Sequence, residues 1–143
     1  MKVLFLDIDG VLINRKVLMR KQQFDIADTD CVALLNEILE KTGAMIVVTS
    51  LWRIGHTTEE LEQLFVKWGV LPGRVIDRTI CNWDWKRGQE IQAWLDEHPE
   101  IKTFAIIDDD SDMLHLMPYL VRTQFEPGLT AADASKALTL LSA

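Results

Sequence analysis

A chain of 143 residues, 48% hydrophobic and 26% charged, is long enough for one domain with its own core and too apolar to be disordered. No apolar run reaches membrane-spanning length, and a formal charge of −7 excludes a protein that grips nucleic acid by bulk electrostatics, though not one with a local basic groove. Cys31 and Cys81 lack metal-ligand spacing, so free thiols are expected rather than a disulfide framework. The N-terminus enters an apolar segment directly, so no signal or transit peptide is expected and the cytoplasm is the expected location.

From Lys2 to Leu6 the chain is almost wholly apolar, with no polar alternation, and it runs straight into Asp7, Ile8, Asp9 and Gly10. That pattern predicts a strand buried on both faces, at the centre of a parallel sheet, with two carboxylates at its carboxyl end. Residues 13–27 carry Arg15, Lys16, Arg20 and Lys21 without a clean period and read as a loop or short flap. Asp28, Thr29 and Asp30 supply caps for a helix whose inward stripe is Val32, Leu35, Ile38 and Leu39, stopped by Gly43. A second strand, Ala44 to Val48, ends in Thr49 and Ser50. Thr57 and Glu60 have capping-box spacing and open a helix to about Trp68. A short strand over Arg74 to Ile76 and an irregular stretch from Asn82 follow. A helix from about Lys86 to Glu97, with Ile91, Trp94 and Leu95 inward, ends at His98 and Pro99. The next buried strand, Thr103 to Ile107, also ends in acid: Asp108, Asp109, Asp110, Ser111, Asp112. A short helix to Met117, a last strand from Tyr119 to Thr123, a turn over Phe125–Gly128 and a helix from Ala131 to Leu141 capped by Thr130 complete the chain. With no repeat or linker, one domain over 1–143 is expected.

Alternating strands and helices define an α/β layered fold with a mainly parallel sheet, in which the carboxyl ends of all strands share one edge. Asp7, Thr49 with Ser50, and Asp108 with Asp109 therefore converge. Those residue types suit phosphoryl transfer. A carboxylate such as Asp7 can accept the phosphoryl group and surrender it to water. Asp9, two residues on and pointing the same way if strand geometry persists, suits the proton transfers. Asp7, Asp9, Asp108 and Asp109 together need a cation, and an all-oxygen site suits Mg²⁺. Thr49 or Ser50 can donate a hydroxyl hydrogen bond, and Lys86 or Arg87 at a helix N-terminus can hold the phosphoryl charge. A cation there opposes the helix dipole, so it wants a reason. Arg53, just past the second strand, is either a further phosphate clamp or a surface arginine.

Asp7-Ile8-Asp9-Gly10-Val11-Leu12 resembles the first motif of the haloacid dehalogenase (HAD) superfamily, Asp-x-Asp-Gly-Thr/Val-Leu. The other three motifs follow in order: Thr49, with Ser50 as its rival; Lys86 or Arg87; and Asp108-Asp109 with Asp112. The resemblance implies a HAD-type Rossmann-like three-layer sandwich, aspartyl-phosphate chemistry on Asp7, Mg²⁺, and a phosphatase, since an acid at the second position of the first motif is the phosphatase pattern.

The intervals Gly10–Val48 and Arg53–Trp85 are too short for a folded cap domain of the usual size, and capless members often act on macromolecules. Thr49-Ser50-Leu51-Trp52-Arg53, Arg87-Gly88-Gln89-Glu90-Ile91, Ile107-Asp108-Asp109-Asp110-Ser111-Asp112 and Gly128-Leu129-Thr130 look like the HAD domain of RNA-repair proteins, which is similar to the 3′-phosphatase part of polynucleotide kinases. The implied substrate is a phosphorylated, single-stranded nucleic-acid end; the alternatives are a nucleotide or other small phosphoester, or a non-catalytic module that binds phosphate ends. No membrane partner is expected, and the oligomeric state is not readable. Gly10, Arg15, Lys16, Ser50 and Arg53 are the candidate substrate-binding residues, with Arg20 and Lys21 as further rim cations. Trp83 and Trp85 are expected to pack in the loop or core, with base stacking as the alternative. His56 and His115 have no partner at ligand spacing and are expected to be surface or packing residues.

Overall fold

The computed structural model describes residues 1–21 and 26–142, the side chains of Arg20 and Lys21 excepted. Five strands, β1 (Lys2–Leu6), β2 (Met45–Val48), β3 (Val75–Arg78), β4 (Thr103–Asp108) and β5 (Leu120–Arg122), form one sheet in the order β3-β2-β1-β4-β5, with every pairing parallel. β1 lies at its centre. Pleating sends Leu4 and Leu6 to one face and Val3 and Phe5 to the other, so the uninterrupted apolar run serves two cores.

The first core is closed by α2 (Thr29–Thr42), α3 (Thr58–Lys67) and α5 (Ala131–Leu141), through Leu35, Leu39, Phe65, Ala137 and their neighbours. The second is closed by α4 (Arg87–Asp96) and a 3-10 segment, Leu114–Tyr119, with Trp94 packed edge-on to Phe5 at 5.4 Å between ring centroids. Three layers result, as the family resemblance implies. Capping follows the sequence closely. Asp28 accepts from the Asp30 and Cys31 amides, Gly43 closes α2 in the left-handed conformation, and Thr57 and Thr130 each form a capping box.

Residues 13–27 are not simply a loop. Gly10 donates to Ile13 O at 2.8 Å, Val11, Leu12 and Ile13 are fully buried, and α1 (Arg15–Lys21) follows, with Val17 buried beneath it. Charge scattered over four cations hid the few apolar anchors. Residues 22–25 of that stretch lie outside the described residues. Among the described residues, the interval after β1 holds α1 and α2, and that after β2 holds a 3-10 turn (Leu51–Arg53), α3 and β3, with no separate cap. No described helix is long and apolar enough to cross a membrane.

The strand order reverses direction beside β1: the chain moves outward through β2 and β3, then crosses by α4 to β4 on β1's other side. Such a switch point leaves a crevice at the carboxyl ends of the two central strands. Asp7 N donates to Ile107 O at 3.0 Å and Thr49 N to Leu6 O at 3.0 Å, which carries the ladder to the crevice floor.

α4 is seated against this edge by Gly88. A Cβ there would run into the backbone carbonyl of Met113. Replacing a helical glycine by alanine ordinarily stabilises by about 0.5–1 kcal/mol. Here the overpacking, about 1–3 kcal/mol, outweighs it. Gly88→Ala is expected to lower the urea midpoint of unfolding; an unchanged or raised midpoint would contradict this packing.

Candidate active site

Asp7 and Asp108 end neighbouring strands and are 6% and 0% exposed, while Asp109, next along, is half-buried. Each of the three brings a carboxylate oxygen within 4.8 Å of the others. Gly10 makes the approach possible. Its φ is +82°, and a Cβ on it would collide with the carboxylate of Asp109. Thr123 Oγ1, just past β5, donates to Gly10 O at 2.6 Å and fixes that turn.

Arg87, the first residue of α4, answers the charge. Its Nη1 lies 2.8 Å from Asp108 Oδ2 and 3.5 Å from Asp7 Oδ1. Burial alone would push the guanidinium's pKa down, but Asp108 and Asp7 more than reverse this and hold it above its ordinary value. Asp112 accepts the Arg87 amide at 3.3 Å and its backbone carbonyl accepts from Gly88 at 3.1 Å, tying the last acid of the Asp108–Asp112 run to the helix that carries the cation. One cation does not balance the cluster. Burial, and then Asp108, push Asp7 up to about 9 even against Arg87, and the same two causes raise Asp109. The donor set is all oxygen, it is clustered, and it is short of positive charge; it fits a hard divalent cation such as Mg²⁺.

Lys86 is exposed, its amide donating to Gln89 Oε1 at 2.8 Å, and Arg87 is the basic residue that reaches the carboxylates. Ser50 Oγ accepts from Trp52 N at 3.2 Å as the cap of the 3-10 turn, whereas Thr49 Oγ1 is fully buried and has no partner. Asp109 joins Asp108 in the cluster rather than competing with it.

Several expectations are corrected. The carboxylate of Asp9 is not in the metal-ligand group: the chain leaves strand geometry after Leu6, Asp9 pairs with Ile13 in a turn, and its exposed side chain accepts from Trp52 Nε1 at 3.0 Å. Arg53 is neither a surface arginine nor a free phosphate clamp. It is 2% exposed, pairs with Glu90 at 2.9 Å, and donates to the carbonyls of Thr49, Ser50 and Thr79. Arg15 pairs with Glu126 at 3.6 Å and Lys16 adds positive charge beside Asp28, on the Phe125–Gly128 side; the side chains of Arg20 and Lys21 lie outside the described residues. Trp83 is 77% exposed and Trp85 40%, so neither is a core residue. His56 Nδ1 lies 2.7 Å from Trp52 O, and His115 Nε2 2.6 Å from Gln92 Oε1.

Glu90 and Trp52 went unnoticed as individual residues. The signal for Glu90 is its place four residues before the inward-facing Trp94 on α4, where a carboxylate is buried only if something pairs with it.

Buried strand ends that gather carboxylates beside a basic helix start, on a parallel α/β scaffold, are compatible with phosphate chemistry. The profile of the family described as the HAD domain in Swiss Army Knife RNA repair proteins matches residues 3–134, and the chain belongs to that family. Neither the curated proteins nor the solved structures offer a match. Membership implies a phosphatase-like hydrolase, and the Asp7, Asp108, Asp109 cluster is compatible with one.

Because Asp7 rises from 3.8 to about 9 on folding, the folded state holds that proton more tightly than the unfolded chain. Below the lower value both states are protonated and nothing is lost; as pH climbs from the lower value to the upper, the cation-free fold is progressively destabilised. Asp7→Asn abolishes this titration. In EDTA at neutral pH it is expected to melt a few degrees above the native protein, the gap closing toward acid pH, and Mg²⁺ should raise the native melting temperature more than the variant's. A variant that melts lower in EDTA at neutral pH would contradict the charge reading.

Proposed function

We propose that the protein is a Mg²⁺-dependent phosphomonoesterase that works through an aspartyl-phosphate on Asp7 and acts on the 3′-phosphate of a polynucleotide end. The observation that carries it is the juxtaposition of Asp7, Asp108 and Arg87 at the carboxyl ends of β1 and β4. A structural carboxylate pair so short of positive charge would be a liability, whereas a phosphoryl-transfer centre requires it.

Asp7, Asp108 and Asp109 would hold Mg²⁺, which when bound offsets the carboxylate charge and polarises the phosphoryl oxygens. An oxygen of Asp7 attacks phosphorus, and the bond from phosphorus to the ester oxygen breaks as Asp9 gives that oxygen a proton. Asp9 then takes a proton from water, the water oxygen attacks phosphorus, and the acyl-phosphate bond breaks to return the Asp7 carboxylate and free phosphate. Trp52, donating to Asp9 Oδ2, orients the group that carries those protons. Thr49, whose buried hydroxyl has no partner, and Arg87 serve the phosphoryl oxygens. The lack of a separate cap among the described residues supports a large substrate over a small enclosed one.

Phosphate release with Mg²⁺ from a 3′-phosphorylated oligonucleotide, beside a 5′-phosphorylated one and small phosphomonoesters, tests the reading. The 3′-end is expected to be preferred, and Asp9→Asn to lower kcat by about 100- to 10,000-fold, the contribution of a positioned acid–base group. Turnover of small esters alone, or an Asp9→Asn variant with native kcat, would overturn it.

A further inference from the structure

Between the third strand and α4 the chain turns outward over residues 79–86, and there Trp83 stands 77% exposed. Tryptophan is normally buried over most of its surface, so a side chain this open needs a reason. Looseness of the loop is not one. Arg53 holds the Thr79 carbonyl at 3.0 Å, Glu90 Oε2 accepts the Asn82 amide at 2.8 Å, and Asn82 in turn accepts from Asp84 N and Trp85 N at 3.0 Å each. The buried Arg53–Glu90 pair thus fixes both the start of the loop and the approach to Trp83.

The exposed ring does not face empty surface far from the centre. A cleft of ≈ 120 Å³ is lined by Leu51, Trp83 and Trp85 together with Arg87 and Asp112. It shares Arg53, Cys81 and Trp85 with a groove of ≈ 680 Å³ that is also lined by Arg78 and Thr79, the latter with a buried hydroxyl that has no partner. The Asp77 carboxylate on that groove is already occupied by the Trp94 indole at 2.8 Å.

We propose that Trp83 is a stacking platform for the terminal nucleobase of the substrate strand, with its phosphate at Arg87. This rests on the nucleic-acid end named under the proposed function. A single sugar joins base to phosphate, so a group held by Arg87 carries its base into the cleft that Arg87 and Trp83 both line. Every base presents a π-face, so the platform accepts any end without reading its sequence.

The test compares oligonucleotides whose 3′-phosphate sits on a normal nucleoside with strands whose 3′-phosphate sits on an abasic sugar, using native protein, Trp83→Ala and Trp83→Tyr, with melting temperature as the check on folding. The native KM is expected to be about 5- to 150-fold lower for the base-bearing end, the range one base–aromatic stack supplies. Trp83→Ala should bring the two ends to one KM, and Trp83→Tyr should keep most of the difference. Equal native values, or a difference that survives Trp83→Ala, overturn the platform and leave the phosphatase reading standing. Release from small esters and from no oligonucleotide overturns that reading, and the platform with it. A phosphoserine peptide whose KM rises in Trp83→Ala, while the oligonucleotide's does not, assigns the surface to a peptide instead.

Discussion

Two carboxylates that must share a dry corner organise this molecule. Asp7 and Asp108 finish adjacent central strands, where the parallel sheet gives them no choice of direction, and each is nearly or wholly buried. Their repulsion, and the cost of taking both from water, set what surrounds them. Gly10 lacks a side chain so that Asp109 can close in, Asp112 grips the start of α4, and Gly88 lets that helix approach near enough for Arg87 to reach both acids. An arginine at a helix N-terminus opposes the macrodipole, and the carboxylates are the reason it is there.

A second buried pair works one step further out. Arg53 and Glu90 are both almost inaccessible and tie the 3-10 turn after β2 to α4. A pair of this kind rarely adds net stability over apolar packing, but losing one partner costs about 3–5 kcal/mol. Its effect here is positional. The carbonyls of Thr49 and Ser50 and the loop after β3 are all held by one guanidinium, so the hydroxyl of Thr49, the orientation of α4 and the exposed Trp83 share a single anchor. Family membership implies a phosphatase-like hydrolase, and the Asp7, Asp108, Asp109 cluster is compatible with one.

What the sequence carried plainly was what local chemistry dictates. The run before Asp7 and the one before Asp108 read as central strands because burial on both faces removes alternation, and the caps at Asp28, Thr57 and Thr130 read directly from side-chain oxygens before apolar stripes. Convergence of Asp7, Thr49 and Asp108 followed from parallel order alone. The misses have separate physical causes. Arg53 read as either a phosphate clamp or a surface arginine because nothing local pairs it with Glu90, 37 residues away. Asp9 was expected to continue the strand alternation of Asp7, whereas the strand ends at Leu6 and the Asp9 carboxylate meets Trp52 instead of joining the metal-ligand group. α1 was concealed by its cations, and Trp83 by the general habit of tryptophan to pack.

The most direct test of the account is to catch the phosphoryl group on the protein. Native protein mixed with its best phosphomonoester carrying a radiolabelled phosphoryl group, in the presence of Mg²⁺, would be quenched in acid and its peptides mapped. Label on the peptide that contains Asp7, released by hydroxylamine as an acyl-phosphate should be, is the predicted result. Rapid turnover with no labelled peptide, or label on any other residue, would contradict the role assigned to the buried carboxylate at the centre of the sheet.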